Sequence, residues 1–400
     1  MSYAATAFRR LISVAGYPFP LLSFLGRLPA AMIQLGLLLV AASDFGLTVA
    51  GATVAIVGIG TAIGAPIVGR SIDRWGPAPV VAAALAVQIL ALGIILWAVG
   101  HHSINALFIG GFVVGCANPQ IGSVARAIWS HAVRKEKDAN ERVKAVRLAM
   151  GFETAADEIS FVVGPIAAGT LVTLYGPHDA VMALMIVTAL GEGVFLAWLL
   201  SHRTGGSHTQ SRVVGPSQRL VWSLLGPIFA QIFSVGMVFG SIQTTLTAYH
   251  LAQGTPELTG VIYGAMGVTS ALAGLLSPAI GRSASAKTLV AGLLVVVGAG
   301  VMMTVPSTVL CLVIVLLIGC GAGTTLVTSY ALVERLAPAA RVTTAMTIGA
   351  TFLVTGVSTG SATAGYLGDQ NLVLSVVPAL LAGGAMVGIS VGQRLRSVSA

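Results

Sequence analysis

Charge is what this chain has least of. Only 8% of its 400 residues are Asp, Glu, Lys or Arg, against about a quarter in soluble globular domains, so a water-facing surface of ordinary extent is excluded. Cysteine is nearly absent as well. Cys116, Cys311 and Cys320 are odd in number and sit in apolar stretches, which argues against a disulfide framework or a metal cluster and leaves them a packing role. Histidine shows no helical metal-ligand spacing: His101 and His102 fall in one predicted outer loop, His178 and His250 near others, and His131, His202 and His208 on the opposite side. The GxG-like fragments lie inside apolar stretches rather than at a strand-to-helix turn, which excludes a nucleotide-binding fingerprint. No intervening segment has room for an ATP-binding domain, and no nucleophile-base arrangement is visible. The expectation is therefore a chain with no cofactor and no metal, and not an enzyme.

What replaces charge is hydrophobicity, 56% of residues, with a mean hydropathy of +0.93. Apolar stretches able to supply roughly 20-residue helices recur along the chain, each long enough to cross a bilayer. They place spans at 19–42, 47–69, 78–99, 104–126, 145–173, 180–200, 220–243, 258–280, 288–305, 308–331, 342–366 and 371–392. Barrel strands need only about 10 alternating residues, so these are helices. The fold expected is an all-α polytopic membrane protein of twelve transmembrane helices.

All 21 Lys and Arg residues can be assigned to one side of the membrane. The connections near Asp44, His101, Asp179, Glu257, Pro306 and Asp369 hold none. Those with Arg70 and Arg74, Arg134 to Lys144, Arg203 to Arg219, Arg282 and Lys287, and Arg335 and Arg341 are basic. The positive-inside rule makes the basic set cytoplasmic together with both termini, which carry Arg9, Arg10, Arg394 and Arg396. Topology and anionic lipid account for the formal charge of +8, so no nucleic-acid partner is expected. No convincing cleavable signal precedes the first span. A bacterial cytoplasmic membrane is the expected location, and the residues leave the oligomeric state open.

The polar, basic stretch Ser201 to Arg219 reads as a cytoplasmic linker between six spans and six. It divides the chain into an N-terminal bundle at 1–200, a linker at 201–219 and a C-terminal bundle at 220–400. A faint duplication supports two pseudo-symmetric halves: APIVGRS at Ala65–Ser71 echoes SPAIGRS at Ser277–Ser283, and GPIAAG at Gly164–Gly169 echoes GSATAG at Gly360–Gly365. Related bundles that rock around a midplane site are a common transporter plan.

Two motifs sharpen this. GRSIDRWG, from Gly69 to Gly76, resembles the cytoplasmic signature between the second and third helices of the major facilitator superfamily, although Pro77 and Ala78 stand where that family usually has further basic residues. The resemblance implies an inter-helix latch built on Gly69, Arg70, Asp73, Arg74 and Gly76 that stabilises one transport state; the bland reading is a solvated turn. The second-half copy keeps Gly281 but carries Ser285 and Ala286 in place of the charged pair. VGPIAAG, from Val163 to Gly169, resembles the fifth-helix signature of the family's exporters, with Ser160 and Ala168 at two places where glycine is usual. It implies antiport, with Gly164, Pro165 and Gly169 as gating residues. Physically, Pro165 removes a donor and bends the helix while the glycines permit close packing, which also describes a simple packing seam.

Four acids escape the loops. Glu153 and Asp157 are four apart and share a helical face, Glu158 lies beside it, and Glu192 sits in the sixth span. A carboxylate at membrane depth is penalised by about 2.5–3.5 kcal/mol on insertion scales, so such groups face a cavity, find a partner or bind a proton. All four are proton-coupling candidates; for Glu153, Asp157 and Glu158 the alternative is a structural network with Arg126 and Arg147, and for Glu192 it is an inter-helix hydrogen bond. Arg27, eight residues into the first span, either snorkels, pairs with a membrane acid or binds an anionic substrate. With Arg126, Gln231 and Gln243 it makes up the substrate-cavity candidates; Tyr249, Tyr263 and Tyr330 are further neutral groups, and for any one of these glutamines and tyrosines packing or interfacial anchoring is the commoner role. The function expected is proton-coupled, alternating-access export of a small organic or amphipathic compound, with protons, the small-molecule substrate and membrane lipid as partners. A proton-driven importer and an uncoupled facilitator or lipid-moving protein are the alternatives.

Overall fold

The computed structural model describes residues 16–133, 139–202, 220–304, 307–338 and 341–398. Every regular element among them is helical: α1 (Phe19–Phe45), α2 (Leu47–Trp75), α3 (Pro77–Gly100), α4 (Ile104–Cys116), α5 (Ile121–Val133), α6 (Ala139–Ser201), α7 (Trp222–Ala252), α8 (Glu257–Leu276), α9 (Ala284–Met302), α10 (Thr308–Leu336), α11 (Val342–Gln370) and α12 (Val377–Val398), with 3₁₀ turns at Ser277–Ala279 and Leu372–Val376. Ten helical stretches among the described residues are long and apolar enough to cross a membrane. Bilayer hydrocarbon cannot hydrogen-bond a backbone, and a helix satisfies its own N–H and C=O groups.

The helices break or merge against the expected spans in two places, each with a local cause, and α2 and α7 run on past the expected ends at 69 and 243, to Trp75 and Ala252. The predicted span 104–126 is interrupted after Cys116, because Pro119 cannot continue the hydrogen-bond ladder and Gln120 adopts φ 54°. Asn118 Oδ1 accepts from the Gln120 amide at 3.1 Å and steadies the break. The predicted spans 145–173 and 180–200 run together as α6, which turns at Gly176 (φ 75°, ψ 171°), a left-handed conformation suited to glycine, just before Pro177.

The hydrophobic clusters separate along the chain. Two draw their buried residues from 19–199 and two from 225–386. Between these sets the backbones touch along small-residue seams. α2 meets α11 where Gly51 faces Ser361, Gly58 faces Ser358 and Gly365 faces Leu47. α6 meets α8 where Gly169 and the Pro165 carbonyl face Gly260, and Val162 and Ile166 face Gly267 and Gly264. A methyl at Gly51 or Gly260 would overlap the opposing helix's backbone, so only glycine permits the approach, while at Gly58 it would meet the Ser358 hydroxyl. Both seams use the helix ends remote from the basic segments. At the other end of α2, Arg70, Asp73, Arg74 and Trp75 are exposed.

Candidate functional site

The membrane acids are organised by α1. Arg27, two turns into that helix, donates Nη1 to Asp157 Oδ1 at 2.9 Å and to the Glu153 carbonyl at 3.3 Å, and its Nη2 bonds Glu153 Oε2. Nε is held by the Ser23 carbonyl at 3.1 Å. Asp157 passes its second oxygen to Arg126 Nη2 on α5. Trp129, one turn beyond Arg126, donates Nε1 to Glu153 Oε1 at 2.7 Å. The side chains thus form one line, Trp129, Glu153, Arg27, Asp157 and Arg126, with two carboxylates balanced by two guanidiniums.

Burial grades along that line. Glu153 is 0% exposed and Arg27 6%, whereas Asp157 is 30% and Arg126 38% exposed. Aromatic packing closes the buried end: Phe19 stands edge-on to Trp129 with centroids 5.1 Å apart and lies 4.7 Å from Trp198, while Phe152 flanks Trp129 at 6.2 Å. A buried ion pair contributes little net stability once desolvation is counted, yet breaking one leaves an uncompensated charge. Such a line is sensitive to any proton or ligand that alters one member.

Arg27 pairs with membrane acids, one of the three roles its position leaves open. The side chains of Glu158 and Arg147 lie outside the described residues. Glu192 stands apart: it is fully buried, and the Gln88 amide on α3, in the orientation that satisfies both groups, donates to its two oxygens at 2.9 Å. No cation among the described residues pairs with it. Gln231 is also fully buried, its amide donating to Ser390 on α12 at 3.0 Å and its oxygen accepting from Ser329 on α10 at 3.3 Å. These partners engage it inside the second set of helices. Gln243 is buried in α7.

The glycine-proline motif lies where three helices converge. Gly164 packs against Ala31 of α1, with a methyl there reaching 2.6 Å from the Ala31 Cβ, and Pro165 and Gly169 face Gly260. Gly76, at φ 83°, ends α2 and starts α3. Asp73 makes no ion pair among the described residues, and Arg74 lies 5.6 Å over the Trp75 ring. Gly69 has open space beside it.

Three features escape the sequence reading. Trp129 is three residues from Arg126, a helical-face spacing that marks it as a neighbour. Thr347, Thr351, Thr355, Thr359 and Thr363 recur every four residues on α11, a period legible in the sequence. Asp369, expected in a connection, belongs to the last turn of α11 and reaches another helix; nothing in its sequence neighbourhood signals that contact.

The family model for the Major Facilitator Superfamily matches residues 21–361. The chain belongs to that superfamily. Solved structures with the same fold include the nucleoside transporter NupG, at 16% identity and a TM-score of 0.68, covering 94% of this chain and 97% of that one. A bacterial homologue of the iron transporter ferroportin in an inward-facing state matches at 19% identity and TM-score 0.66, covering 94% and 99%. A POT family transporter in complex with 5-aminolevulinic acid matches at 13% identity and TM-score 0.66, covering 95% of each chain. No curated protein matches the sequence. The major facilitator membership makes the chain an integral membrane transporter rather than an enzyme.

Proposed function

We propose that this major facilitator protein is a proton-coupled, alternating-access exporter of small organic or amphipathic compounds in a bacterial cytoplasmic membrane, with both termini cytoplasmic. The observation that carries this reading is the graded line from buried Glu153 through Arg27 to partly exposed Asp157 and Arg126. A proton arriving at Asp157 or Glu153 releases one arm of Arg27. Release loosens α1 from α6, the helices that the line ties together, and an anionic or hydrogen-bonding group of the cargo substitutes for the lost carboxylate. The fifth-span glycine-proline motif, seated between α1 and α8, supports antiport and hence export.

The architecture underlying this reading has twelve spans in two bundles, 1–200 and 220–400, joined by the linker 201–219. The interruption at Ala117–Gln120 lies within one span, the turn at Gly176 separates two, and threonine-rich α11 spans as well. The partition of the hydrophobic clusters supports this division. With the basic loops inside, the two small-residue seams close the outer side, and the exposed Asp73 and Arg74 mark an open cytoplasmic side. The latch implied by GRSIDRWG is then unmade in this state and forms in the opposite one.

A balanced cluster of two acids and two guanidiniums also favours a second reading, an uncoupled facilitator in which the line only joins helices. Reconstituted vesicles screened across chemically distinct compounds, with and without an imposed pH gradient, separate the two. Proton movement that depends on substrate and falls in Glu153→Gln or Asp157→Asn supports coupling. Undiminished coupling in both variants sinks it.

A further inference from the structure

A carboxylate joins the α2–α11 seam at its end remote from the basic segments. Asp369, in the last turn of α11, turns its carboxylate onto the first turn of α2, where Oδ1 accepts from the Leu47 amide at 3.1 Å and Oδ2 from the Thr48 amide at 2.7 Å. Those amides belong to the orphan donors of a helix start, which have no partner inside the helix. Gly46 sets them up: its φ of 87° and ψ of 168° end α1 and begin α2 within one residue. No side chain of α2's own first turn caps it. The acceptor is supplied instead from a helix more than 300 residues away in sequence and in the other set of helices.

We propose that Asp369 is a latch that holds the seam between α2 and α11 shut on the side opposite the basic loops, by capping α2 across the two halves. The carboxylate complements the partial positive charge at the start of α2, and the bond exists only while the seam is closed. When the halves part, the amides and the carboxylate pass to water. The latch therefore adds a state-specific term to a contact that is otherwise van der Waals packing of Gly51 and Gly365 against α11 and α2 backbone and of Gly58 against the side chains of Ser358 and Val354. A helix cap of ordinary strength shifts such an equilibrium by roughly 2- to 30-fold, and the exposure of Asp369 places it in the lower part of that range. The assignment to the outer face rests on the topology proposed above; the contact itself does not.

The test uses Ser358→Cys as a reporter, in the full chain with Cys116, Cys311 and Cys320 replaced by alanine. Ser358 is 6% exposed and faces Gly58 inside the seam, so a membrane-impermeant maleimide reaches it only when the seam opens. Labelling rates are compared in right-side-out and inverted vesicles. Asp369→Asn keeps the shape but leaves one amide without an acceptor, and the rate from the outer face rises about two- to fivefold. Asp369→Glu, which keeps the charge, raises it less. Leu47→Pro attacks the partner: proline is tolerated at the first helical position and removes one of the two donors, so it raises the rate in the same direction. Unchanged labelling in Asp369→Asn and Leu47→Pro, beside an increase in Gly58→Leu, overturns the latch. A rise confined to reagent on the basic-loop side overturns the outer-face assignment, while substrate-dependent proton movement in the same vesicles tests the transport reading separately.

Discussion

Removing Arg27 destabilises this protein more than removing Glu153, and removing both restores part of the loss. In Arg27→Met the 0%-exposed Glu153 keeps only the Trp129 N–H, while Asp157 retains Arg126. Breaking a buried pair by deleting one partner costs about 3–5 kcal/mol. In Glu153→Gln, Arg27 still has Asp157 and the carbonyls of Ser23 and Glu153, and the loss is that of one charged hydrogen bond, about 1.5–3 kcal/mol. In Arg27→Met/Glu153→Leu no unpaired charge remains. What is left is an orphaned Trp129 N–H, about 1–3 kcal/mol, so the double variant is more stable than Arg27→Met alone. Unfolding of the purified variants in one detergent, followed by tryptophan fluorescence against denaturant, gives the order. Additive losses, with the double variant the least stable of all, would refute the charge accounting.

Trp129→Phe keeps the packing against Phe19 but removes the donor to Glu153, and it lowers stability by about 1–3 kcal/mol, less than Arg27→Met, in the same unfolding assay. Gly260→Ala places a methyl against the Pro165 carbonyl, an overpacking cost of about 1–3 kcal/mol levied only on the closed α6–α8 seam. The measurable outcome is faster modification of a Val162→Cys reporter by impermeant thiol reagent applied from the side opposite the basic segments. At Glu192, substitution by Gln preserves a hydrogen bond to Gln88 and changes stability little, whereas Leu strands the buried amide and costs about 1–3 kcal/mol; equal melting of the two variants would contradict the pairing.

The membrane fold was legible because the bilayer imposes a simple length and polarity rule on every span, and the starts of α1, α2, α8 and α10 lie within a residue of expectation. The fifth and sixth spans were harder: Gly176 makes a turn with no polar loop around it, so hydropathy alone cannot mark its geometry. At the site, the shared face of Glu153 and Asp157 followed from helical spacing. Their partners did not, because Arg27 is 126 residues from Glu153 and no local pattern encodes which helices become neighbours. Gln231 is the converse case: packing is the commoner role for a lone polar residue in an apolar span, and its amide is engaged by Ser329 and Ser390 inside the second set of helices.

The threonines of α11 explain how one helix face can serve both states. Residues seven apart lie on nearly the same side of a helix, so Thr347 and Thr351 share the face of Val354 and Ser358 that meets Gly58 of α2. Ser358 is buried in that seam, but Thr347, about three turns nearer the basic end, is exposed. In the proposed cycle α2 closes over this lower stretch when the outer seam opens. A bare serine or asparagine there would gain and lose water at each turnover. Thr351 Oγ1 instead donates to the Thr347 carbonyl at 3.0 Å within its own helix, as Thr355, Thr359 and Thr363 do to the carbonyls four residues earlier. With their protons already committed, these threonines leave no donor stranded when dry and remain wettable when open, whereas Ser358 Oγ, buried in the closed seam, has no hydrogen-bond partner among the described residues. In the proposed cycle that property removes one cost of opening and closing, which leaves the cap at Asp369 and a proton in the Arg27 line as the terms that bias the two states.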